Sequence, residues 1–210
     1  MSVWADWVRE GDCIVDVGAN TGSYAKAFAE ATGPRGVVVA FEPDPVSATA
    51  CREQCPAWVT VREEIVGERC DPSAAFVLAG ARTQHSRFAG CVDHGTVTHL
   101  PMTTLDVACV DLPVVGIKID AQGGDGWVLA GARKTLAAMP SGGWVMVEIW
   151  PEGYRAAGYA VGDLQGVFAG WTLAGEGKGY GPAQRSLADA LADAETWQNA
   201  KHTNLWLRKD

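Results

Sequence analysis

Asp12-Cys13-Ile14-Val15-Asp16-Val17-Gly18-Ala19-Asn20-Thr21-Gly22 is the stretch on which the fold turns. Ile14, Val15 and Val17 make a short β-branched run that breaks at Gly18 and Gly22. Ser23 then opens a helical pattern through Tyr24, Ala25, Ala27, Phe28 and Ala29. The order is a buried strand, a tight glycine turn and a helix N-terminus. Gly18 can take backbone angles closed to other residues, and both glycines let a ligand approach the main chain. A helix N-terminus also leaves backbone N–H groups free to donate. The dinucleotide fingerprint is G-x-G-x-x-G, but Asn20 stands where its second glycine would be. Asp16, just before the turn, suits a ligand with donors or positive charge better than a pyrophosphate. Together these features favour S-adenosyl-L-methionine, with its ammonium and its cationic sulfur. Read as a plain strand-to-helix turn, the glycines would serve geometry alone.

The chain on either side fits a parallel sheet. Gly36 to Phe41 is a continuous apolar strand ending at Glu42-Pro43-Asp44-Pro45. An acidic residue at that strand end, 20 residues after Gly22, suits ribose hydroxyls, so Glu42 is the expected sugar ligand. Asp44 is expected to cap the next helix, Val46 to Cys55. Trp58 to Val61 reads as a third strand, and Glu63 and Glu64 just beyond it are candidate adenine contacts or an exposed acidic pair. Ala74 to Ala79 reads as an extra strand. The polar stretch from Gly80 to Gly95 has the character of a lid or acceptor-binding segment, with His85 and Arg87 as substrate-binding candidates. Asp93, His94 and His99 carry metal-ligating atoms, but no spacing fixes a geometry, and no metal site is expected. Thr96 to Leu105 alternates as a strand would, ending at Asp106.

Val114 to Ile119 is the next buried strand, and Asp120 ends it. Strand alternation points Lys118 and Asp120 the same way. Two charges at the carboxyl end of a central parallel strand are costly to desolvate unless paired or used. Gly123-Gly124 leads into a helix from Asp125 to Met139. In the strand Trp144 to Ile149, Glu148 interrupts an apolar run on the same edge as Asp120. A helix from Ser186 to Gln198 lies between the last two strands, Trp171 to Ala174 and Thr203 to Leu207, which are expected to pair antiparallel.

The 210 residues, 48% hydrophobic and 20% charged, read as a single domain, 1–210. Within it, residues 1–11 are expected to form an amphipathic N-terminal helix and residues 80–106 an acceptor-side insertion. A net charge of -8 leaves no basic excess for phosphates, so no nucleic acid is expected as partner. No apolar run approaches the roughly 20 residues of a membrane span, and the N-terminus lacks a signal-peptide pattern. The six cysteines form no C-x-x-C pair and read as reduced packing thiols. A cytoplasmic protein acting on a small-molecule acceptor is expected, and a homodimer is compatible with these properties.

The blocks GDCIVDVGANTGSYA, AFEPDP, TTLD, KIDAQGGDGWVLAGARKTL and VMVEI, in that order from about Gly11 to Trp150, resemble the FkbM-type SAM-dependent methyltransferases. The K-I-D-x-Q/E-G block followed by L-x-G-A is the most specific part. The resemblance implies an α/β, Rossmann-like class I methyltransferase sheet. Seven strands, mostly parallel with an antiparallel last strand, would carry helices on both faces. It implies methyl transfer, usually to a hydroxyl of a natural product, sugar or lipid-like acceptor. Asp16, Gly18, Asn20 and Gly22 match the family's cofactor loop, Glu42 its ribose acid, and Lys118, Asp120 and Gln122 the block beside the acceptor. Asp125 departs from the glutamate common at its position.

For a hydroxyl acceptor a proton must also be removed. Asp120 or Lys118, with Glu148 nearby, is expected to take it or to orient the acceptor, with His85 and His94 in reserve. An NAD-dependent oxidoreductase is the second reading, against which stand Asn20 and the lack of a Tyr-x-x-x-Lys pair. A non-catalytic SAM-binding protein is the third.

Overall fold

The computed structural model describes residues 3–78, 87–88, 95–177, 183–198 and 201–210; for residues 3, 87 and 88 only the backbone is described. Strand β1 (Cys13–Val17), helix α1 (Ser23–Thr32), β2 (Val37–Phe41), α2 (Pro45–Gln54) and β3 (Val59–Arg62) alternate in the first third. Strands β4 (Ile65–Val66), β5 (Asp71–Leu78), β6 (Arg87–Phe88) and β7 (Thr96–Thr103) follow, and then the short helix α3 (Leu105–Ala108). Alternation resumes with β8 (Val114–Ile119), α4 (Asp125–Ala130), α5 (Arg133–Ala138), β9 (Trp144–Ile149), α6 (Pro151–Ala156) and α7 (Leu164–Val167). The chain closes with β10 (Trp171–Glu176), α8 (Leu187–Glu195) and β11 (Thr203–Lys209).

Seven strands form one sheet in the order β3-β2-β1-β8-β9-β11-β10. The first five pair in parallel. Strand β11 slots between β9 and β10 and runs antiparallel to both. Both faces of the central strands are covered, which is why their sequences are continuously apolar. On one face Ile14, Val38, Ala40, Met146 and Trp206 pack with Phe28 of α1, Cys51 of α2, and Trp4, Trp7 and Val8. On the other, Val15, Val17, Ile117, Ile119 and Val147 pack against residues of α3 through α8. Between β1 and β8 the strand order reverses, and α1 and α4 leave on opposite faces. A crevice therefore opens at the carboxyl ends of these two strands.

A second sheet, β4-β7-β5-β6, is inserted between β3 and β8, with Ile65, Ala74, Phe76 and Met102 as its own small core. Its strands begin at Ile65, ahead of the 80–106 segment expected as the insertion. Residues 96–103 are one strand. Asp106 lies in α3, where its carboxylate accepts from the Lys134 and Thr135 N–H groups at the start of α5.

Two further expectations are corrected. The N-terminal helix is a single 3-10 turn, Val3–Asp6, among the described residues. Trp4, Trp7 and Val8 reach the same core, but the ring contacts of Trp7 with Trp144 and Trp206, not a helical repeat, set the path. The helix read from Asp125 to Met139 is two helices that break at Gly131. A Cβ there would lie 2.1 Å from the Gly67 carbonyl, so the inserted sheet's close approach displaces the regular turn. Lys118, expected to point the same way as Asp120, has its ion-pair partner in Asp16, across the β1–β8 ladder.

Candidate functional site

The glycine turn is held in place from two sides. The Gly18 and Ala19 N–H groups both donate to the Phe41 carbonyl at the end of β2, at 2.9 and 3.0 Å. Gly18 has φ +73°, and a Cβ on it would lie 1.9 Å from the Asp120 carbonyl oxygen. Only glycine fits there, because the chain leaving β8 is pressed onto the turn. Asn20 also has a left-handed φ, +50°, and no glycine's excuse for it. Its N–H donates to Glu42 Oε2 at 2.7 Å, which fixes the conformation.

Glu42 is 7% exposed and lines the crevice. Its other oxygen accepts from the Asp44 N–H at 2.9 Å. Burial pushes its carboxyl up to about 7, against the pull of those two backbone donors and of Lys118. Asp44 caps α2, accepting from the Val46 and Ser47 N–H groups.

Behind the turn lies an ion pair cut off from solvent. Lys118 Nζ stands 3.0 Å from Asp16 Oδ1, with side-chain exposures of 3% and 0%. The ammonium is out of line for a hydrogen bond to Asp16. It donates instead to the carbonyls of Val17, at 3.2 Å, and Gly18, at 2.6 Å. Burial alone would lower the lysine, but Asp16, Asp120 and Glu42 outweigh it and hold the ammonium above its usual pKa. Enclosed beside Asp16 and donating to two backbone carbonyls of the turn, Lys118 braces the turn from behind. Asp16, burial-raised and wholly enclosed, does not line the crevice. In the sequence the two charges stand at the penultimate positions of two separate strands, and only the register of β1 against β8 brings them together.

Asp120 and Glu148, expected on one edge of the sheet, are joined there through Gln122. The Gln122 amide donates to Asp120 Oδ1 at 2.8 Å and reaches Glu148 Oε2 at 3.5 Å, the outer limit of a hydrogen bond. Gln122 has φ +50°, so both non-glycine residues in the left-handed region among the described residues flank this crevice. Glu148 is 7% exposed near the carboxyl end of β9. Asp125 orders the loop between: its carboxylate accepts from the Ala121 and Gly123 N–H groups at 3.0 and 3.1 Å. Burial raises that carboxyl to about 7.

The crevice holds about 150 Å³. Phe41 and Pro43 form one apolar wall and Ile65, Val66 and Phe76 of the inserted sheet another. Reading the sequence alone missed this second wall, since nothing in an isolated apolar strand says which site it will face. Glu64 also lines the crevice, its carboxylate held by the Arg62 guanidinium at 2.7 to 3.1 Å. His85, Asp93 and His94, and the side chain of Arg87, lie outside the described residues. Gly22, at the N-cap of α1, backs onto the thiols of Cys51 and Cys55. No helix among the described residues is long and apolar enough to cross a membrane.

The model of the methyltransferase FkbM domain matches residues 16–155. No curated protein matches the chain. Among solved structures, a Clostridium thermocellum protein assigned as an rRNA methylase superposes with a TM-score of 0.59 at 14% identity, over 99% of this chain and 93% of its own. A SAM-dependent methyltransferase from Aquifex aeolicus gives 0.51 at 11% identity, over 98% and 86%. Fibrillarin from Aeropyrum pernix, with natively bound S-adenosyl-L-methionine, gives 0.50 at 12% identity, over 95% and 67%. At these identities the likeness establishes the fold.

Proposed function

Because the chain belongs to the FkbM methyltransferase family, whose cofactor is S-adenosyl-L-methionine, we propose that it methylates a hydroxyl oxygen of a small-molecule acceptor. The residues present fit that cofactor. Glu42 offers a buried carboxylate to ribose hydroxyls at the crevice, and Phe41, Pro43, Ile65 and Phe76 offer apolar walls to a purine ring. Glu64 lies at the same end. When bound, the sulfonium supplies an electrophilic methyl.

The protein must hold the acceptor oxygen in line and take its proton as the new C–O bond forms and the S–CH₃ bond breaks. Asp120 and Glu148, bridged by the Gln122 amide at the carboxyl ends of β8 and β9, are the carboxylates available for this. That trio carries the reading. Lys118 supports it from behind by holding the turn. Gln122 donates to whichever carboxylate does not face the acceptor, and His85 and Arg87 are proposed to close on the acceptor from the polar segment.

The net charge of -8 supports a neutral or cationic small acceptor over a nucleic acid. Family membership sets the NAD-dependent alternative aside. A radiolabelled methyl-transfer screen over hydroxylated metabolites tests the proposal. The expected product is a methyl ether whose formation falls by roughly a hundredfold or more in Glu148→Gln. Label carried only on nitrogen or sulfur would overturn the hydroxyl assignment. Cofactor binding with no transfer to any acceptor would favour a binding protein.

A further inference from the structure

We propose that the two carboxylates bridged by Gln122 have different tasks: Asp120 holds the ammonium of the cofactor's amino acid end, and Glu148 alone serves the acceptor. This rests on the methyltransferase reading above and divides its labour.

The first ground is what the glycine turn has already spent. In a loop that meets a cationic ligand, the natural acceptors are the turn's own carbonyls and the aspartate before it. Here the carbonyls of Val17 and Gly18 both accept from Lys118, and Asp16 is paired to the same ammonium. A second ammonium placed among them would meet the lysine's like charge, and the Val17 carbonyl already accepts from the Asp120 N–H as well. Asp16 also has no exposed surface from which to reach a ligand.

The second ground is where Asp120 sits. Its N–H donates to the Val17 carbonyl at 3.1 Å, and its carbonyl is the atom that forbids a Cβ on Gly18. The residue is therefore stapled to the turn, on the crevice side, with Glu42 and Gly18 lining the same space. One side-chain oxygen takes the Gln122 amide; the other accepts nothing from the described residues. Glu148 does not line that space. It lies one strand further along the sheet edge, beyond Gln122, where an acceptor oxygen would approach from the side away from the adenosine.

Calorimetry with two ligands separates the tasks without any acceptor. S-Adenosylhomocysteine carries the amino acid end; 5′-methylthioadenosine has the same adenosine and thioether without it. Asp120→Asn is expected to weaken the first by roughly ten- to a hundredfold, as befits a lost charge-assisted bond, and the second by no more than about twofold. Glu148→Gln is expected to leave both affinities within about twofold of wild type. An equal loss for both ligands in Asp120→Asn, or no loss for either, overturns the assignment. If that variant does not fold, Asp120→Ser is read the same way. The wild-type protein supplies an independent check. It should bind desamino-S-adenosylhomocysteine at least about tenfold more weakly than the parent, and equal affinities would also overturn the proposal. Since no step uses an acceptor, a methyl-transfer screen that finds only nitrogen or sulfur products leaves this result standing, and the converse holds too.

Discussion

Glu42 shows how one residue's surroundings set its chemistry. Enclosure raises its carboxyl from an ordinary 4.5 to about 7, although two backbone N–H groups favour the charged form. Below pH 4.5 the folded and unfolded chains both hold this proton. Between 4.5 and about 7 the unfolded chain has lost it and the folded chain has not, so stability falls as pH rises through that window. Glu42→Gln removes this contribution. Its stability relative to wild type should improve by about 3 kcal/mol between pH 4.5 and 8, read by urea unfolding without ligand. The amide has one acceptor for two backbone donors, which adds a penalty independent of pH. Binding runs the other way. Ribose hydroxyls donate to the ionised form, so affinity for S-adenosylhomocysteine should rise from pH 6 to 8 in wild type and stay flatter in the variant. Asp44, two residues on, was readable as a cap because a helix start leaves N–H groups that a short carboxylate can reach. Lys118 was not readable as the turn's anchor, because only the β1–β8 register sets it beside Asp16.

At the scale of elements, the strands and turns with strong local signals lie where the sequence puts them. Strand β2 stops at Glu42-Pro43: the Glu42 N–H still donates to the Arg62 carbonyl at 3.0 Å, and Pro43 has no N–H with which to continue the ladder. Helix α2 then starts with Pro45 in its first turn and Asp44 as cap. Asp44→Ala should cost about 1 kcal/mol, seen as a lower urea midpoint with an unchanged slope. The α4–α5 break and the N-terminal turn went unread for one reason. Their neighbours, Gly67 in one case and Trp144 and Trp206 in the other, are far away in the chain, and contacts of that kind override local helical periodicity. The inserted sheet shows the same limit. Its alternation was visible in Thr96 to Thr103, but its position against the crevice was not.

At the scale of the molecule, the last strand closes the sheet. Strand β11 bonds β9 on one side and β10 on the other and buries Leu205, Trp206 and Leu207. Its Lys209 ammonium also donates to the carbonyls of Leu136, Ala137 and Met139 at the end of α5. Removing residues 203–210 should leave β9 with β8 as its one neighbour and β10 with none, and expose Trp144 and Met146. The expected outcome is a chain without a cooperative thermal transition or near-ultraviolet circular dichroism, while Asp44→Ala keeps both.

By itself the sequence determined the class of fold, the glycine turn, the acid at the end of β2 and the cap that starts α2. Each follows from interactions between residues close in the chain: β-branched runs, glycine angles, proline breaks and caps. Tertiary structure alone decided that Asp16 and Lys118 spend each other's charge behind the turn. It also decided that the Gln122 amide bridges Asp120 and Glu148, and that an inserted sheet walls the crevice. The reason is that strand register and strand order are set by burying whole faces at once. A side chain's neighbours across the sheet are therefore a property of the assembled core and not of any segment within it.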